Sequence, residues 1–240
     1  LAKSSLPALQ SGGAQVVSAE VTDLRLYIKA IFPQLCSELP EGFVYGNDHR
    51  FTGKDMIIAS VTISNSEVGA GSLKVEAGFY KTKCTNLAIF DGSGMKKYHV
   101  GRSAVAELDS AVELFTDETR RADDQAFWMK VRDVVASSCN KDVFQAQVEK
   151  MKRATTDVIA NKDLPKVIEI TRKQFGLPEL LQGELLTNLI HGQDLTRWGL
   201  LNAVTRAAED QPNYDFATEL ERTGGKILEL APTEWKRIAG

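Results

Sequence analysis

The amino-acid sequence predicts an α+β protein, with an N-terminal antiparallel or mixed β-sheet followed by a C-terminal helical region. Three observations predict it. Period-two alternation and β-branched runs are confined to the first hundred or so residues, and apolar residues at helical spacing fill the rest. The two patterns do not interleave as strand–helix–strand units, so a doubly wound parallel fold is not expected.

The 240 residues suit one domain. We divide them into a flexible lead-in at 1–15, marked by Ser4-Ser5, Pro7 and Ser11-Gly12-Gly13, and a single domain at 16–240. Its β-rich half covers 16–102 and its helical half 103–240. The chain begins with Leu1, not Met, and trimming from a longer protein is the expectation.

In the β-rich half, Leu24 to Ala30 alternates apolar and polar residues, as a half-buried strand does. Pro33 and Pro40-Glu41-Gly42 punctuate the chain after it. Met56 to Ile63 is β-branched and suits a central strand. Leu73, Val75, Ala77 and Phe79 alternate with Lys74, Glu76 and Gly78 as a further strand, and Leu87 to Phe90 is a short one. Asp91-Gly92-Ser93-Gly94 reads as a turn, with Lys97 to Val100 returning from it as a hairpin.

Helices are expected at Ala104 to Phe115, Glu118 to Cys139, and from Asn140, whose side chain can cap the free amides of the next first turn. Leu164 to Phe175 has Pro165 near its start and Gly176 past its end, where each residue is favoured. Pro178 to Ile190 follows, ending at Gly192. Asp194 is the expected cap of Leu195 to Ala208, and two more helical stretches flank Gly224-Gly225.

Composition excludes several classes. Hydrophobic residues make up 43% and charged residues 25%, an ordinary globular balance. No apolar run approaches the roughly 18 residues of a membrane span, and the first residues lack a signal-peptide pattern. The expected compartment is the cytoplasm. Cys36, Cys84 and Cys139 are few and scattered, which argues for buried, reduced thiols and against a disulfide framework or zinc site.

His49, His99 and His191 are isolated, with no metal-ligand spacing, and no metal or cofactor is expected. The glycine pairs Gly69-Ala70-Gly71 and Gly92-Ser93-Gly94 match no phosphate-loop pattern. Cys84, His99 and Glu67 could meet as a nucleophile, base and carboxylate, but no elbow motif presents Cys84. A cysteine-dependent hydrolase is accordingly the third reading of function, and no residue is assigned as catalytic.

The strongest local signal is electrostatic. The net charge of −3 hides a balance of +2 over residues 1–102 and −5 over the remainder. Within 74–102, six basic residues oppose Glu76 and Asp91. Lys81, Lys83, Lys96, Lys97 and Arg102, interleaved with Tyr80 and Tyr98, combine amines that pair with phosphates and rings on which bases stack. These seven residues are the candidate surface for single-stranded nucleic acid. Farther on, Trp198 beside Gly199 predicts close packing of a core helix on a neighbour, with Asn202 bonded to an adjacent loop.

Asn65-Ser66-Glu67-Val68-Gly69, Tyr80-Lys81-Thr82-Lys83-Cys84-Thr85-Asn86, His99-Val100-Gly101-Arg102 and Thr196-Arg197-Trp198-Gly199-Leu200-Leu201-Asn202-Ala203-Val204-Thr205 occur in this order. The series resembles the phage/plasmid-like family known as domain of unknown function 932, over about Glu20 to Asp210. Leu87 stands where that family usually has a glycine after its Cys-x-Asn. The resemblance implies a setting in mobile genetic elements, near replication and recombination, and no established activity. Two readings follow. One is a non-enzymatic protein that binds single-stranded DNA in an annealing-like role, as a homo-oligomer. The other is an oligomeric assembly protein with no nucleic-acid binding.

Overall fold

The structure, a computed structural model, describes residues 9–38, 56–66, 73–81, 87–90, 95–97, 116–138 and 140–240. Among the described residues six strands form one antiparallel sheet: β1 Gln15–Val21, β2 Leu26–Glu38, β3 Met56–Asn65, β4 Leu73–Lys81, β5 Leu87–Ile89 and β6 Met95–Lys97. Their order is β1-β2-β3-β4-β5, with β6 also pairing with β4. The helices are α1 Asp117–Ser138, α2 Lys141–Ala154, α3 Leu164–Phe175, α4 Gln182–Gly192, α5 Arg197–Glu209, α6 Tyr214–Leu228 and α7 Pro232–Ala239. The expected α+β order, sheet first and helices after, is the order observed.

Alternation decides the two faces of the sheet. In register across three strands lie Ile28, Ile63 and Val75, then Ala30, Val61 and Ala77, then Phe32, Ala59 and Phe79. Most of these residues form one apolar cluster with Leu9, with Val135 of α1 and with Phe144 and Val148 of α2. The opposite face carries Lys29, Thr62 and Glu76 in one row, and α6 supplies the ionic partners of its two charges. A second cluster joins Ile57, Phe79, Ala88 and Phe90 to apolar residues of α2 through α7.

Several elements differ from expectation for local reasons. Leu9 is buried at 1% exposure in a helical turn that leads into β1, so the stretch read as a lead-in already contributes to the core. β1 has a bulge between Val16 and Ser18, which breaks its alternation and hid the strand. Pro33 lies within β2, where the register shifts between Phe32 and Cys36; a bulge removes the need for its missing amide. Cys36 is exposed, not buried. β5 and β6 both run antiparallel to β4, hence parallel in direction to each other, and no hairpin returns between them. The helix expected at 104–115 lies outside the described residues.

Asn140 caps α2 as expected, accepting from the amides of Asp142 and Val143. Gly176 closes α3 in the left-handed conformation, φ 66°. The cap of α5 is Thr196, not Asp194: the Thr196 hydroxyl accepts from the Gly199 amide and donates to Asp194 Oδ1 at 2.6 Å. Helix α6 runs unbroken through Gly224-Gly225, and glycine is needed at 225 because a Cβ there would lie 1.9 Å from the Ile89 carbonyl oxygen. The helix pays the glycine cost, about 1 kcal/mol each, for close approach to β5.

Candidate nucleic-acid interface

The end of β4 carries two of the seven predicted residues, and neither is an open contact. Lys81 shares a face with Phe79 and is only 1% exposed. Its Nζ lies 5.8 Å from the centroid of the Trp198 ring, and Trp198 stacks on Phe79 with ring centroids 5.6 Å apart. Lys81 is thus turned into the core and does not offer its amine to a phosphate from the surface. Tyr80 points to the other face and is half-buried. Burial, and then the Glu209 carboxylate, raise its phenol above the ordinary tyrosine value.

Lys96 and Lys97 lie on β6, at a sheet edge among the described residues. Lys96 stands directly opposite Lys74 in the β4–β6 ladder, and Lys97 opposite Leu73. Lys83, Tyr98 and Arg102 lie outside the described residues, as do Cys84, His99 and Glu67.

The chain brings together two segments that more than a hundred residues separate. Phe79 and Lys81 meet Trp198 at the start of α5. Beside them, burial holds the Asp194 carboxyl above the usual carboxylate range, while the Thr196 hydrogen bond and the Lys81 charge act in the other direction. Gly199 is fixed by close approach to the chain just before its own helix: a Cβ there would meet the Asp194 carbonyl oxygen at 1.7 Å. Asn202 donates to the Trp198 carbonyl within α5, not to an adjacent loop.

Arg197 is held by Asp157 at 3.0 Å and by the carbonyl of Leu230, and lies 4.9 Å over the Trp235 ring. Each of these is a packing role.

Sequence reasoning missed the buried charge layer between the sheet and α6. Lys29 Nζ donates to both carboxylate oxygens of Glu221 at 2.7 Å. Arg222 donates to Glu76 through Nε and Nη2, the shortest contact being 2.7 Å, and through Nη1 to Glu219 at 2.6 Å. Lys29, Glu76, Glu221 and Arg222 are each less than a tenth exposed. Burial raises Glu221 above the usual carboxylate range against the pull of Lys29 and then Arg222. For Arg222, burial alone would lower the value; its hydrogen bonds and charge contacts with Glu76 and Glu219 outweigh that and raise it. Next to this row, Tyr27 donates to Asp215 at 2.6 Å. Burial and that hydrogen bond push its phenol up to about 12.

Lys29 and Glu76 sit at polar positions of alternating strands and so resemble a solvated face; only the location of α6 reveals their partners. Each of the four buried charges has an ionic partner within the layer.

Among the described residues no group of three His, Cys, Asp or Glu side chains could hold a metal ion. A cavity of about 40 Å³ lies between β4 and α2, lined by Phe79, Phe90, Phe144, Gln147 and Met151. Among the described residues no helix is long and apolar enough to cross a membrane. Comparison of the chain with protein-family models, curated proteins and solved structures gives no match.

Proposed function

We propose that this chain is a non-enzymatic protein that binds single-stranded nucleic acid along the β4–β6 edge of its sheet. The observation that carries the reading is the direct opposition of Lys74 and Lys96 across the ladder, with Lys97 adjacent. Lysines grouped along one edge supply positive charge to which a phosphate backbone binds. The buried position of Lys81 narrows the surface to this edge, with Lys83 and Arg102 as its remaining candidate extensions. The resemblance to the phage/plasmid-like family supports a setting in replication or recombination.

The test is binding of a fluorescent single-stranded oligonucleotide at about 50 and about 200 mM salt. Salt-sensitive binding that tolerates changes of base sequence supports the reading, and no binding at the lower salt overturns it.

The second reading, an assembly protein without nucleic-acid binding, is favoured by a different observation. The edge strand β1 leaves Val16 48%, Val17 42% and Val21 77% exposed.

A further inference from the structure

We propose that β1 is a homodimerisation edge, at which a second copy of this chain adds its own β1 antiparallel to continue the sheet. Among the described residues β1 is the last strand on its side, with β2 as its only partner. All of its residues are exposed except Ser18, which is half-buried and bonded to the Tyr214 hydroxyl at 2.8 Å. Leu24, just beyond it, is 49% exposed. An edge of this length with exposed valines is a template for strand addition.

The choice of occupant follows from the two edges. Among the described residues the far edge is divided between β5 and β6, three residues each, and carries Lys96 and Lys97. Short strands and lysines are the devices that blunt an edge against pairing. β1 has seven residues and one charge, Glu20. Head-to-tail pairing would need the blunted edge, whereas β1 is complementary to itself.

An antiparallel pairing centred on Ala19 sets Glu20 against the partner's Ser18 and Val21 against the partner's Val17. It opposes no like charges and brings the exposed valines together. A register centred on Glu20 would oppose two carboxylates, which is unfavourable. The two-fold symmetry of such a contact closes at two copies. A seven-residue strand pair covers less than the roughly 1,200–2,000 Å² of a standard interface, so the dimer dissociates on dilution. The inference rests on the assembly reading only in naming its surface and its occupant, and it is independent of nucleic-acid binding.

The experiment is light scattering over a concentration series for wild type, for a Val17→Lys/Val21→Lys variant and for Leu180→Lys, a control at an 82% exposed position elsewhere. Wild type and the control should approach twice 26.4 kDa, and the double variant should remain monomeric with an unchanged melting temperature. As a second measurement, Ala19→Cys in a Cys36→Ser background should give an oxidised, covalently linked dimer. A wild-type monomer at every concentration overturns both this inference and the assembly reading. A dimer that survives the double variant and is not linked through Ala19→Cys overturns the β1 edge alone and leaves assembly standing. A mass that keeps growing beyond two copies overturns the self-pairing.

Discussion

Replacing Glu76 by glutamine should strongly destabilise the protein, because it leaves the Arg222 guanidinium inside without its main counter-charge. Both residues are 5% exposed, and three contacts at 2.7–3.2 Å join them. Breaking a buried pair from one side costs about 3–5 kcal/mol. The remaining bond from Arg222 to Glu219 places this case at the lower end, about 3 kcal/mol. For a chain of 240 residues each kcal/mol moves Tm by about 2–4 °C, so a fall of roughly 6–12 °C is expected in a thermal melt followed by circular dichroism.

The double variant Glu76→Leu/Arg222→Leu removes both charges and leaves comparable apolar volume. It should lose less than the single variant, since replacing a whole buried pair is often close to neutral. A drop under about 2 °C for Glu76→Gln, or a double variant worse than the sum of its singles, would refute the reasoning that the layer is a closed, desolvated ion-pair system.

Tyr27 gives a prediction in pH. Its folded-state value, about 12, lies above the unfolded value of 10.0, so its contribution is full below pH 10 and fades as pH rises toward 12. By linkage this amounts to roughly 2–3 kcal/mol, and Tyr27→Phe should flatten that part of the Tm-against-pH curve; an unchanged slope would remove Tyr27 as its source. Gly225→Ala should force α6 away from β5, since its methyl would lie 1.9 Å from the Ile89 carbonyl oxygen. Overpacking of this kind costs about 1–3 kcal/mol, and a variant that melts with wild type would mean that the contact yields without cost.

The sequence makes the fold class readable because each half obeys one period. The β-branched run at Met56–Ile63 and the alternation at Leu73–Phe79 are strands nearly as expected, and Asn140 and Gly176 act at the helix ends where their chemistry predicts. Legibility fails where a long-range contact overrides a local rule. The bulge at Val16 to Ser18 spoils the alternation of β1, and Pro33 is admitted to β2 by an irregular register. Gly224-Gly225 reads as a helix break until β5 is seen against α6.

The candidate site follows the same division. Lys81 looks like a surface lysine because its neighbours in sequence are polar, yet it lies under the Trp198 ring, an arrangement set by α5 more than a hundred residues away. Lys96 and Lys97 are at an edge for a reason that no local pattern contains, namely that β5 and β6 share β4 as their partner.

A nucleic-acid edge at β6 is tested most directly by comparing salt dependence for wild type, Lys96→Gln/Lys97→Gln and Lys81→Met. On single strands each phosphate contact contributes about 0.7 to the slope of log affinity against log salt. The β6 double variant should lose about 1.4 of that slope together with most of its low-salt affinity. Lys81→Met should keep the wild-type slope, because Lys81 is buried against Trp198. Equal slopes for wild type and the β6 variant, or a loss confined to Lys81→Met, would contradict that edge.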